Sequence, residues 1–273
     1  MVRRRRPSPA RDAAVGVFDS GIGGLTVVHE IRRLLPNENL LYFGDTGRTP
    51  YGTKSAETVR RYAFENAEFL LERGVKVLVV ACNTVSAVAL EELAERLPVP
   101  VLGVIEPGVR EALERTKNRR IGVIATEATI ASGTYTRALQ ALDPRVEVYS
   151  RACPLFVPLA EEGWTDNDVA RLAARVYLES LSRSGIDTLI LGCTHYPLLR
   201  SLIQRVVGEG VALVDSAKAT ARALRDLLRR EDLLRREGRG SASFFVTDAP
   251  DRFVEVGRRF LGSAVDSAVR VER

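Results

Sequence analysis

Two cysteines close two matching stretches of this chain. The first stretch reads Gly74-Val-Lys-Val-Leu-Val-Val-Ala-Cys82-Asn83-Thr84, the second Gly185-Ile-Asp-Thr-Leu-Ile-Leu-Gly-Cys193-Thr194-His195. In both, a glycine that ends a helical stretch stands eight residues before the thiol. A run rich in Val, Ile and Leu, too short for a helix, leads into it. A single cysteine is more often a small buried hydrophobe than a catalyst. Two at equivalent strand ends, each followed by a polar pair, point instead to chemistry done from two sides. A helix beginning just after each would offer its N-terminal N–H groups and lower the thiol pKa from about 8.5. The third cysteine, Cys153 in Ala-Cys-Pro-Leu, lacks the polar pair and reads as structural.

Several thiol chemistries fail on the residues available. A zinc site lacks ligands, because His29 and His195 are the only histidines and His29 falls within a helical stretch. A Cys-His hydrolase pairing Cys82 with His195 would leave Cys193 unexplained. Disulfide exchange needs Cα atoms about 4.4–6.8 Å apart, which thiols on opposite sides of a substrate cannot reach. Stereoinversion at a carbon remains. One thiolate takes a proton from one face, one thiol returns a proton to the other, and each such group contributes about 10²–10⁴-fold. The carbanion-like transition state then needs fixed donors on the adjacent carboxylate, and Ser20, Asn83, Thr84 and Thr194 are of that kind.

Strand and helix signals alternate along the chain and must position these groups. The pattern predicts strands at Val15–Phe18, Leu40–Phe43, Val77–Ala81 and Val101–Ile105, with helices Leu25–Leu35, Ala56–Glu72 and Val85–Arg96. A second set follows: strands Ile121–Ala125, Val146–Ser150, Thr188–Leu191 and Ala212–Val214, with helices Ser132–Ala141, Asp168–Ser182 and Leu198–Val207. A helix at Ala223–Arg236, a strand at Phe244–Val246 and a helix at Phe253–Leu261 complete the chain. The two sets run in register: Val15–Phe18 matches Ile121–Ile124, Tyr42 matches Tyr149 and Cys82 matches Cys193.

The fold expected is therefore α/β, with two similar parallel-sheet α/β domains related by a pseudo-twofold and an active site in the cleft between them. The boundaries expected are a disordered basic leader at 1–14, a first domain of 15–106 plus 216–273, and a second of 107–215. In parallel sheets, ligands bind beyond the carboxyl ends of the strands. The loops there hold Asp19-Ser20, Thr46 to Gly52, Cys82 to Thr84, Glu106-Pro107, Thr126 to Thr129 and Cys193 to His195. The turn Asp19-Ser20-Gly21-Ile22-Gly23-Gly24 is not a dinucleotide fingerprint, since Thr26 stands where a third glycine is required. Its backbone N–H groups would still suit a carboxylate at a helix start.

Composition narrows the setting. The net charge of +5 owes much to Arg3–Arg6, and only four of the 40 basic residues are lysines. Elsewhere Arg and Lys alternate with Asp and Glu as on solvated helix faces, so no nucleic-acid partner is expected. No segment approaches the roughly 18 apolar residues of a membrane span, and the leader has no apolar region of a secretory signal. Three cysteines cannot all pair and form no C-x-x-C, which points to free thiols in a reducing cytoplasm.

Five stretches resemble the bacterial glutamate racemases, in that family's order. They are Val17-Phe-Asp-Ser-Gly-Ile-Gly-Gly-Leu-Thr26, Gly44-Asp-Thr-Gly-Arg-Thr-Pro-Tyr-Gly52, Ala81-Cys-Asn-Thr84, Val104-Ile-Glu-Pro-Gly108 and Leu191-Gly-Cys-Thr-His-Tyr-Pro-Leu198. The resemblance implies a cofactor-independent, metal-free racemase that interconverts L- and D-glutamate and supplies D-glutamate to peptidoglycan synthesis. It implies that Cys82 handles the proton of D-glutamate and Cys193 that of L-glutamate, with Asp19 and His195 assisting. Substrate contacts would come from Asp19, Ser20, Pro50, Tyr51, Gly52, Asn83, Thr84, Thr194 and His195, with Thr126, Thr129 and Glu161 at further pocket positions. A homodimer in the cytoplasm, away from membranes, is expected. An aspartate racemase and a glutamate-binding regulator are the alternatives, and the Cys193–Leu198 stretch argues for glutamate.

Overall fold

The computed structural model describes residues 11–261 and 265–272, and the Arg3–Arg6 run of the expected leader lies outside them. Two parallel sheets organise the chain. The first contains β1 (Val15–Asp19), β2 (Leu40–Gly44), β3 (Val77–Val80), β4 (Val101–Gly103), β9 (Ala242–Val246) and β10 (Val269–Arg270), in the order β10-β9-β2-β1-β3-β4. The second contains β5 (Arg120–Ala125), β6 (Glu147–Ala152), β7 (Thr188–Gly192) and β8 (Ala212–Asp215), in the order β6-β5-β7-β8. The run β2-β1-β3-β4 and the run β6-β5-β7-β8 have the same connectivity, as the repeated sequence pattern predicts.

Side chains of the central strands alternate between two covered faces, which is why these strands read as unbroken apolar runs. Val15, Val17, Val77 and Val79 join one core layer while Phe18, Leu78 and Val80 join the opposite one. The second sheet repeats this, with Ile121, Val123 and Ile190 on one face and Ile124, Leu189 and Leu191 on the other. Covering helices include α1 (Leu25–Leu34), α2 (Ala56–Leu71) and α9 (Asp168–Arg183). Gly74 and Gly185, which follow α2 and α9, have φ of 71° and 69°. That left-handed geometry disfavours a side chain, so the paired glycine signal has a backbone cause.

The structure corrects several expectations. Val15 pairs with Leu40 and Ile121 with Val148, so Tyr42 corresponds to Ser150 and not to Tyr149. A one-residue slip puts a side chain on the opposite face. Tyr42 is accordingly fully buried, whereas Tyr149 bonds Glu147 at an exposed edge. The helix expected at Ala223–Arg236 runs instead from Ser216 to Arg230 as α11, because Asp215 caps it by accepting from the Ala217 N–H at 2.9 Å.

The stretch at Glu106-Pro107 is not a loop but the first turn of α5 (Ile105–Arg115), with Glu106 facing solvent beside Arg110. Proline fits there because first-turn N–H groups have no partner inside the helix. The helix expected at Val85–Arg96 breaks at Ala89 into α3 (Asn83–Val88) and α4 (Leu90–Arg96). The region around Ser132–Ala141 is likewise two pieces, α6 (Glu127–Ala131) and α7 (Thr134–Leu142), separated by Gly133 at φ 65°. Residues 11–12, expected in the disordered leader, are held: Lys76 Nζ donates to the Arg11 carbonyl, and Arg235 pairs with Asp12 at 3.1 Å.

Candidate active site

Each sheet has one place where successive connections leave in opposite directions, between β1 and β3 in the first and between β5 and β7 in the second. Ligand crevices form at the carboxyl ends of strands at such points. Asp19 ends β1 and Cys82 follows β3, while Thr126 follows β5 and Cys193 follows β7. The four groups that the sequence marks as chemical thus stand at the two switch points. The two halves meet there: Thr26 Oγ1 donates to the Thr194 carbonyl at 3.2 Å, and Ala128 N–H donates to the Gly52 carbonyl at 3.0 Å.

On the first half, Cys82 is the residue before α3 and is only 5% exposed. Its Sγ lies 3.6 Å from Ser20 Oγ. The expectation that a following helix would lower this thiol's pKa is reversed. Burial pushes Cys82 up to about 12, and the neighbouring Asp19 charge adds to the effect. The Val85 N–H and the Ser20 hydroxyl offset only part of that. Desolvation outweighs one helix terminus because it penalises the thiolate over its whole surface. Asp19 is itself fully buried, and burial raises its pKa against the pull of His195 and the Gly21 and Gly24 N–H groups. Its Oδ1 accepts from Gly21 N–H at 2.9 Å and its Oδ2 from Thr194 Oγ1 at 3.5 Å.

On the second half, Cys193 is 7% exposed and its Sγ lies 3.9 Å from His195 Nδ1. No α-helix starts directly after it; a short 3₁₀ helix occupies Tyr196–Leu199 instead. His195 Nε2 is 2.9 Å from Glu161 Oε1. Burial works against a charged imidazole, but the hydrogen bonds to Cys193 and Glu161 prevail and push His195 up to about 10. His195 is therefore a cation at neutral pH, donating from one nitrogen to Glu161 and from the other toward the Cys193 sulfur. Glu161 closes α8 (Phe156–Glu161), a helix absent from the sequence reading. Burial opposes its ionisation, yet His195 and Arg252 hold its carboxyl below the usual range. The charge of Cys193 is a further, smaller influence that raises the Cys82 thiol.

The remaining candidates meet where the two halves touch. Thr84 from the first half meets Thr126 and Thr129 from the second, with Oγ separations of 3.0 and 3.2 Å. Asn83 Oδ1 accepts from the Tyr135 hydroxyl at 2.6 Å, while its Nδ2 is buried without a hydrogen-bond partner. The Pro50–Gly52 loop touches the second half through Gly52, where an added Cβ would lie 2.6 Å from Thr126 Cβ. Tyr51 differs from a simple pocket residue, because its hydroxyl bonds Asp45 and receives Asn66 Nδ2 at 3.1 Å. Its phenol thereby ties the loop to Asp45 and Asn66. Cys153 is fully buried in the core of the second half.

Three contributors are not evident in the sequence. Tyr135 contacts Asn83 from 52 positions away and reads there as an ordinary helix residue. Asp45 braces Tyr51 and accepts from Thr247 at 3.0 Å across the sheet. Gly23 lies so close to the second half that a Cβ would stand 2.2 Å from Thr194 Oγ1 and 2.5 Å from His195 Nδ1. A glycine pair after an Asp-Ser turn was the available signal for Gly23. For Asp45 the signal was its place in the Gly44–Gly52 stretch, and Tyr135 offered none. Among the described residues, no group of three or more His, Cys, Asp or Glu side chains is arranged to hold a metal ion.

Comparison with known proteins gives a consistent set of relatives. A family model described as Asp/Glu/Hydantoin racemase matches residues 17–224. A glutamate racemase of Geobacter metallireducens is 57% identical over 259 residues, covering 94% of this chain and 96% of that protein. The crystal structure of a Bacillus anthracis glutamate racemase isoform superposes with a TM-score of 0.92 at 42% identity, covering 96% of this chain and 98% of the other. A Francisella tularensis glutamate racemase, solved in complex with D-glutamate, superposes with a TM-score of 0.90 at 40% identity over the same shares.

Proposed function

Since the chain belongs to the aspartate/glutamate racemase family, and within it to the glutamate racemases, we propose that its racemisation of L- and D-glutamate is a two-thiol proton transfer needing no cofactor. One observation carries the reading. Cys82 and Cys193 follow equivalent strands of two matching sheets, each at most 7% exposed, with Asp19 beside the first and His195 beside the second, and the charge of Cys193 acts on Cys82.

In the L-to-D direction, the Cys193 thiolate removes the α-proton of L-glutamate. The unpaired Nδ2 of Asn83 holds the α-carboxylate in ground and transition state alike, and the electron pair left at Cα spreads onto that carboxylate, where the hydroxyls of Thr84, Thr194 and Ser20 supply further donors. The Cys82 thiol then delivers its proton to the opposite face, so one S–H bond forms as the other breaks. Each thiol contributes about 10²–10⁴-fold. Burial keeps Cys82 protonated, as its role as donor in this direction requires, and the His195 cation lies beside the Cys193 sulfur. D-glutamate requires the swapped state, with Cys82 ionised.

With both thiols at most 7% exposed, the halves must part for substrate to enter, and reclosure excludes water from the carbanion. The product D-glutamate would serve peptidoglycan synthesis. A homodimer in the cytoplasm is the setting we assign. Its three cysteines are unpaired, and no helix among the described residues is long and apolar enough to cross a membrane.

The test is incubation of L-glutamate with the protein in D₂O without added cofactor. D-glutamate carrying deuterium at Cα is expected, with Cys82→Ala and Cys193→Ala each reducing the rate by at least about 10²-fold. A requirement for pyridoxal phosphate, activity surviving either substitution, or faster turnover of aspartate would overturn the proposal.

A further inference from the structure

Tyr135 belongs to the second half, at the second position of α7, yet its hydroxyl donates at 2.6 Å to Asn83, the first residue of α3 in the other half. Both are buried, at 2% and 3% exposed. A primary amide has one acceptor end and one donor end, and a buried hydroxyl proton needs an acceptor. Asn83 Oδ1 is the acceptor the structure provides. If the amide turned over, Nδ2 would face the phenol and the hydroxyl proton would be orphaned. The bond therefore sets which end of Asn83 looks away from Tyr135. That end is Nδ2, which among the described residues of the site is the one buried side-chain donor without a partner.

We propose that Tyr135 is a positioning residue: it fixes the Asn83 amide with Nδ2 toward the substrate carboxylate and completes this donor only when the two halves are closed. The phenol ring is held for the purpose. A Cβ on Gly192, the last residue of β7, would lie 3.1 Å from Tyr135 Cε2 and 2.8 Å from the Ile124 carbonyl, so the bare glycine leaves room for the ring. One hydrogen bond thus ties the helix start after Cys82 to the element that packs on the Cys193 strand. An opened cleft lacks it, so substrate binding and closure reinforce each other through the amide. This inference rests on Asn83 being a substrate donor, as in the proposed function.

The test is steady-state racemisation of glutamate by Tyr135→Phe, Asn83→Ala and the double variant. Tyr135→Phe keeps the ring and deletes the donor. A KM raised about tenfold with kcat within about threefold is expected, a loss of about 1.4 kcal/mol of binding. The double variant should be no worse than Asn83→Ala alone, because the phenol acts only through the amide. A purely structural role would lower kcat through loss of folded enzyme and leave KM unchanged, and that result overturns the inference. So does an additive double variant. If Asn83→Ala leaves KM unchanged while Tyr135→Phe raises it, the assignment of Asn83 as donor fails instead, and the proposal falls with it.

Discussion

Replacing Glu161 with Gln should lower the pH at which His195 loses its proton, and with it the upper pH limit of activity. The substitution keeps the shape of the side chain and removes its charge. In the native site, burial disfavours the imidazolium, yet contacts with Cys193 and Glu161 lift His195 to about 10. The 2.9 Å contact between His195 Nε2 and Glu161 Oε1 is charge-assisted, and such bonds contribute about 1.5–3 kcal/mol. At about 1.36 kcal/mol per pH unit, its loss moves the His195 titration down by about one to two pH units. The chain has only two histidines, so ring resonances can be followed directly by NMR, with His29→Gln removing the other signal. The native His195 signal should titrate at about 10 and the Glu161→Gln signal correspondingly lower. The alkaline limb of kcat/KM for glutamate should move with it, because deprotonation removes the positive charge beside Cys193. A native titration near the ordinary 6.5, or a variant that titrates where the native protein does, would refute the reasoning.

Other outcomes follow from the same contacts. Gly23→Ala should destroy most activity while leaving secondary structure by circular dichroism intact, since its Cβ would strike Thr194 and His195 at 2.2 and 2.5 Å and hold the halves apart; near-native turnover would contradict the close approach. Lys76→Met should destabilise the fold by about 3–5 kcal/mol in urea titrations, because it strands the buried Glu38 carboxylate now paired with Lys76 at 2.5 Å. Little change in the unfolding midpoint would show that Glu38 finds another partner. The His195 charge also links stability to pH. Its folded pKa is raised from 6.5 to about 10, so its stabilisation is fully present below about 6.5 and is lost as pH rises through 10. Urea midpoints should therefore fall across that window in the native protein, and less steeply in His195→Gln; parallel curves for the two would count against the linkage.

The sequence by itself determined the α/β alternation, the repeated half and the strand ends at which Asp19, Cys82 and Cys193 stand. Those features are local: strand alternation, left-handed glycines at 74 and 185, and polar pairs after an apolar run all act within a few residues. Register and helix starts were legible only in part, as the Tyr42–Tyr149 pairing and the late start assigned to α11 attest. A single side-chain cap or a one-residue slip leaves almost no trace in periodicity. Only tertiary structure decided the charge state of the site. The helix start after Cys82 predicts an acidified thiol, and burial beside Asp19 makes it the reverse. His195 becomes a cation through its contact with Cys193 and through Glu161, which α8, unseen in the sequence, brings to its ring. Asn83 acquires an orientation because Tyr135 arrives from the other half. Desolvation and charge pairing depend on what surrounds a group in space, and the two halves that enclose these residues are joined only by the fold.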